Sequence, residues 1–130
     1  MISTQRTVVV EEVPERCDAR REREFVGELE KRVAALVRPA VVLDCSRVRQ
    51  ADTALVHLLL SCLEEALKRN GDVRLAGIRA EVLPALEAAG VGRLFRLFPS
   101  NAEAVESFGR LAAGHRGVGV PGQPAATNAA

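Results

Sequence analysis

At 130 residues, 48% of them apolar, the chain has the length of one domain and enough greasy side chains for a modest core. A formal charge of +1 gives no electrostatic case for a nucleic-acid partner, and four Phe with no Tyr or Trp leave no stacking platform for single strands. The three cysteines, Cys17, Cys45 and Cys62, are odd in number and lack CxxC spacing, as expected of reduced thiols in a cytoplasmic protein rather than a disulfide scaffold.

Thr7 to Val13 is short and β-branched, which predicts a strand ended by Pro14. Asp18 can cap a helix over Ala19 to Val37, with Phe25, Leu29, Val33 and Leu36 on one face and Glu28 placed to pair with Arg32. Pro39 breaks that helix. Ala40 to Cys45 follows as an apolar strand without alternation, the pattern of a strand covered on both faces. A second helix runs from Thr53 to Arg69 and is stopped by Asn70-Gly71, and Val73 to Gly77 is the third strand. A third helix lies within Ala80 to Ala89, where Pro84 predicts an irregular first turn, and Gly90 ends it. Leu94 to Phe98 reads as a fourth strand. Ser100 and Glu103 then form a capping box for a last helix carrying Ala102, Val105, Phe108 and Leu111 on one face. The Gly/Pro/Ala-rich remainder has no periodicity and is expected to be a disordered tail over residues 113–130, after a domain over residues 1–112.

The start of the chain shows no signal-peptide apolar core. The run from Leu55 to Leu63 is too short for a membrane span, so no direct membrane insertion is expected. The β-α-β-α-β-α-β-α order predicts an α/β fold with a largely parallel sheet and right-handed crossovers. In such folds, ligand and partner sites lie beyond the C-terminal ends of strands, and the loop from Asp44 to Thr53 is at such an end.

No GxGxxG or GxxxxGK[ST] loop is present, which argues against nucleotide chemistry, and His57, His115 and the cysteines have no ligand spacing, so neither a cofactor nor a metal is expected. Asp44, Cys45 and His57 stand close enough in the predicted order for a nucleophile reading, a small enzyme using Cys45 or His57. A thiol ending a buried strand is more often inert packing. That leaves Asp52-Thr53, a hydroxyl at the positive end of a helix dipole. Asp and Thr are also favoured helix starters, so a plain cap accounts for the same residues. Two features favour more than a cap. Apolar residues surround more of this helix than one core stripe needs, which suggests a partner surface, although a helix packed on two sides within the domain gives the same pattern. Thr53, His57, Ser61 and Glu65 stack four apart on one face, placing His57 one turn below Thr53.

The strand VVLDCS, the loop VRQAD and Thr53 opening a helix, followed by NGDVRLAGI, EVLPALEAAGVGRLF and the SNAEAV helix, resemble a STAS domain of the bacterial anti-sigma-factor antagonist type. The resemblance spans roughly Thr7 to Leu111. It implies a single domain with a four- to five-stranded, mostly parallel sheet packed with about four helices. It also implies a partner-switching function: binding of a cognate anti-sigma factor that is also a serine/threonine kinase, phosphorylation of Thr53 to end the complex, and a phosphatase to reset it. Asp52 and Asp18 fall at the family's acidic positions beside the acceptor. Ala54 and Leu55 stand where the family has Ser and Gly, and Leu55 is expected to serve as an apolar anchor of the docking surface, with His57 nearby. The same family includes subunits that dock on the ATPase of an ABC-type lipid transporter, which often carry Asp-Thr here; this is the alternative reading.

Overall fold

The computed structural model describes residues 7–113, with side chains through residue 109. The elements are β1 (Val8–Glu12), α1 (Ala19–Val33), β2 (Ala40–Asp44), α2 (Thr53–Leu67), β3 (Asp72–Ala76), α3 (Leu83–Ala88), α4 (Val91–Leu94), β4 (Arg96–Phe98) and α5 (Asn101–Ala113). The tail expected to be disordered, with His115, lies outside the described residues.

The four strands form one sheet in the order β1-β2-β3-β4, and every neighbouring pair is parallel. Each crossover steps the same way across the sheet, which puts the connecting helices on a common face. Leu29 and Val33 of α1, Leu55, Leu58 and Leu59 of α2, Leu86 of α3 and Val91 of α4 pack there on Val41, Leu43, Val73 and Leu75. The other face is covered by α5, whose Ala104 and Phe108 pack on Ala40, Val42 and Ala76. Alternate residues of β2 thus enter different cores, and Ala40 through Leu43 are completely buried, which explains their unbroken apolar run.

The helix ends differ from the sequence expectation for local reasons. α1 stops at Val33 rather than Val37, because the chain turns there (Leu36 N–H donates to the Val33 carbonyl, 2.9 Å) and Arg38 takes a positive φ of 53° to enter β2. Arg32 turns from Glu28 to Glu11 on β1, 2.8 Å away, while Glu28 meets Lys31 at 3.5 Å. At the end of α2 it is Asn70 that adopts the left-handed conformation, φ 59°. Gly71 is needed for close approach instead: a Cβ there would lie 2.2 Å from the Pro39 carbonyl oxygen. Pro84 falls in the first turn of α3, after a tight turn at Arg79, so the irregular start is present as expected. The four-residue α4 replaces the beginning of the expected fourth strand, set off by Gly90 at φ 83°. In α5 the capping box forms, with Glu103 N–H donating to Ser100 Oγ at 3.2 Å. Ala102 is exposed, and the inward face is Ala104, Ser107 and Phe108. Arg74 of β3 is buried against this face, its guanidinium 3.9 Å from the centre of the Phe108 ring and donating to Ser107 Oγ.

Candidate functional site

Asp44 closes β2, and its side chain organises the loop that leads to α2. Its Oδ1 accepts the Ser46 N–H at 2.9 Å, and its Oδ2 accepts Asn101 Nδ2 from the start of α5 at 3.0 Å. Burial opposes the charge, but these hydrogen bonds outweigh it and hold the Asp44 carboxyl below its ordinary value. Gly77, at φ 71°, passes beside the same loop, where an added Cβ would sit 3.4 Å from Ser46 Cβ. Val48 is buried and pins the middle of the loop, and its N–H donates to the Cys45 carbonyl at 3.1 Å.

A depressed folded-state pKa favours the charged form. Asp44 therefore contributes stability that is present above its unfolded pKa and is lost as pH falls through its lower folded value. Asn101→Ala is expected to raise the Asp44 pKa, to move the acid limb of the stability curve to higher pH and to cost about 1 kcal/mol near neutrality. A side-chain carboxyl NMR titration with thermal melts from acid to neutral pH checks this, and an unmoved Asp44 midpoint would contradict it.

The loop ends in Asp52, whose Oδ1 accepts the Leu55 N–H at 2.9 Å and caps α2. Thr53 is the first helical residue and is exposed, as is Asp52, and Ala54 is half-buried. Asp18 caps α1 in the same way, accepting from Arg21 N–H at 2.8 Å. Both caps open helices that follow the C-terminal ends of neighbouring parallel strands, β1 and β2. The Cys17 thiol is pushed up first by burial and then by the carboxylates of Glu22, Asp18 and Asp52, with Arg21 opposing. The carboxylate placed directly beside Thr53 is that of Asp52.

Leu55 corrects the sequence reading. It is 3% exposed and belongs to the main core with Leu58, Leu59 and Cys62, so it cannot present its side chain to a partner. The helix turns Thr53 outward and Leu55 inward, about 200° apart on the wheel. The stack of polar residues is as expected, and it meets a residue the sequence reading missed. Glu22 of α1 accepts from Ser61 Oγ at 3.1 Å, and its Oε2 lies 2.6 Å from His57 Nδ1. The signal was available, since Glu22 stands three before Phe25 and seven before Leu29, an acid on the inward stripe of α1. Glu65, the last of the stack, is nearly buried and pairs with Lys68 at 2.9 Å and Arg69 at 3.4 Å.

This geometry does not favour nucleophilic chemistry. Cys45 is 2% exposed, and its thiol is pushed up to about 12 by burial and then by Asp44. The described partner of His57 is Glu22, and Ser61 donates to that same carboxylate rather than to the imidazole, so this pair does not aim a base at a nucleophile. Among the described residues no His/Cys/Asp/Glu group could hold a metal ion, and no helix is long and apolar enough to cross a membrane.

A family model described as the STAS domain matches residues 1–104. The chain belongs to the STAS domain family. No curated protein matches it in sequence. Among solved structures, this STAS domain is similar to an anti-sigma-factor antagonist (STAS) domain protein from Planctomyces limnophilus, with 13% identity over 84% of this chain and 95% of the other, TM-score 0.66. It is similar to the STAS domain of a SulP transporter from Vibrio cholerae, with 17% identity, 82% and 83% coverage and TM-score 0.61. The phosphorylated form of the Bacillus cell fate determinant SpoIIAA is also similar, with 16% identity, 82% and 94% coverage and TM-score 0.58. At these identities the likeness concerns the fold, a parallel four-stranded sheet flanked by helices.

Proposed function

We propose that this STAS domain is an anti-sigma factor antagonist, a cytoplasmic interaction module whose docking surface surrounds the start of α2 and whose switch is Thr53. The unphosphorylated domain binds a cognate anti-sigma factor that is also a serine/threonine kinase. The kinase transfers the γ-phosphoryl of its ATP to Thr53 Oγ1, the hydroxyl proton leaves and ADP is released. The phosphothreonine ends the complex, and a phosphatase hydrolyses it to restore binding.

The observation that carries this reading is the division of labour at the head of α2. Thr53 is exposed on the first helical position, while Asp52 spends its side chain on the cap and Leu55 faces the core. The hydroxyl is thus accessible on a rigid support, and modifying it disturbs no buried group. Asp52 directly before it, and Glu22 held on His57 one turn below, make an added phosphate electrostatically unwelcome once a partner excludes water, which suits a release signal. The phosphorylated SpoIIAA structure shows that a protein with this fold takes phosphate.

Incubation with ATP and the cognate kinase, followed by peptide mass spectrometry, is expected to find one phosphate on Thr53 and none in Thr53→Ala. An unmodified Thr53, with the domain co-purifying with a transporter ATPase, would replace this reading with the ABC-type docking alternative.

A further inference from the structure

The exposed stretch that runs into Thr53 is held from outside α2. Ser46, Arg47, Arg49 and Gln50 face solvent, with Val48 between them turned into the core. A partner that covers Thr53 meets this stretch as well, because only Ala51 and Asp52 separate the two. Three surface contacts reach it. Arg47 pairs with Glu12 at 3.5 Å, Arg49 pairs with Glu15 at 3.3 Å, and Arg79 donates to the Ser46 carbonyl at 3.4 Å. Long, exposed contacts of this kind hold little. The short, charge-assisted bonds belong to Asp44, which accepts the Ser46 N–H at 2.9 Å and Asn101 Nδ2 at 3.0 Å. Asn101 is the first residue of α5 and lies 57 residues from Asp44 in sequence. The helix does not need its side chain, since Ser100 already accepts the Glu103 N–H and caps α5. The amide is spent on Asp44 instead. α5 is itself fixed on the sheet by Ala104 and Phe108, so Asn101 passes a rigid position on to the loop.

We propose that Asn101 is a positioning residue for docking: through Asp44 it presets the loop from Ser46 to Gln50 in the shape that the partner binds. This rests on the reading of the start of α2 as the docking surface. A loop fixed before binding spares the complex the entropy of ordering it. Thr53 stands on α2, whose first turn is capped by Asp52 and not by this loop. Asn101 therefore acts on the affinity for the partner and leaves the transfer of phosphate to a bound Thr53 unchanged.

The test uses the full chain and the cognate anti-sigma factor kinase. Calorimetric titration is expected to give Asn101→Ala a Kd about tenfold above that of the wild type. Phosphorylation assays are expected to show KM raised by a similar factor, with kcat for Thr53 within about twofold. Ser107→Ala is the control. It removes a hydroxyl from the same helix whose described hydrogen bonds lie away from the loop, to Arg74 and the Ala104 carbonyl, and it is expected to bind like the wild type. Asn101→Asp sets two carboxylates against each other and is expected to bind at least as weakly as Asn101→Ala. Adding Asp44→Asn to it is expected to restore Kd to within about threefold of the wild type. The exchange keeps an amide donating to a carboxylate, and an oxygen at position 44 for the Ser46 N–H. Circular dichroism shows each variant folded. Wild-type affinity in Asn101→Ala overturns the proposal. So does a Ser107→Ala that weakens binding equally, or a folded exchange variant that binds no better than Asn101→Asp. A wild-type domain that does not bind the kinase overturns the docking reading and the proposal with it.

Discussion

Leu55→Gly is expected to lower the unfolding free energy by about 3–6 kcal/mol, the sum of a Leu-to-Ala core cavity of ~2–5 kcal/mol and ~1 kcal/mol for glycine in a helix. The side chain is 3% exposed and belongs to the main core with Leu58, Leu59 and Cys62, so little can collapse into the space it leaves. Urea unfolding followed by circular dichroism measures the loss, and Ala54→Gly, one residue earlier and half-buried, isolates the backbone part at about 1 kcal/mol. A domain of this kind has ~5–15 kcal/mol in total, so Leu55→Gly is expected to leave a protein close to its folding limit. The comparison matters for function because glycine is what the family resemblance leads one to expect at this position. A loss below that of Ala54→Gly would return Leu55 to the docking surface.

The element order was legible because its signals are local. Pro14, Pro39, Asn70-Gly71 and Gly90 punctuate the chain where elements end, and the unbroken apolar run from Ala40 to Leu43 announces a strand buried on both faces. The four-residue α4 was not legible. It has no room for a periodic pattern, and only the left-handed Gly90 marks where it starts. At the site, Asp52 and Thr53 could be read as a helix start because capping is local chemistry. The side Leu55 takes depends on how the whole helix rotates against the sheet, and that is set by Leu58, Leu59, Cys62 and Ala66 together. Glu22 escaped because its partners, His57 and Ser61, lie 35 and 39 residues away in sequence. A carboxylate on an apolar stripe signals an unmet partner but does not say where that partner is.

Phosphorylation of Thr53 is expected to weaken binding of the cognate anti-sigma factor by about 100-fold, equivalent to about 2.7 kcal/mol. The group adds ~1.5–2 negative charges and three acceptor oxygens. The dipole of α2 returns only ~0.3–1 kcal/mol of the cost, and it is already engaged by the Asp52 carboxylate, which caps Leu55 N–H. His57 could offer a counter-charge one turn below, but Glu22 holds its Nδ1 at 2.6 Å. The remaining cost, desolvating the phosphate beside Asp52 when a partner closes over it, falls on the complex and not on the free domain. Substitutions separate charge from bulk. Thr53→Ala and the neutral Thr53→Gln are expected to bind within about threefold of the unmodified protein, or ~0.7 kcal/mol. Thr53→Glu, with one charge on a shorter group, is expected to lose about tenfold, or ~1.4 kcal/mol. Calorimetric titration at two ionic strengths gives the deciding readout. Added salt should narrow the gap between Thr53→Glu and Thr53→Gln if charge is the signal, because exposed charges are screened within ~8 Å at 0.15 M. If Thr53→Gln binds as poorly as Thr53→Glu, the switch works by excluded volume, and the neighbouring Asp52 carboxylate plays no part in release.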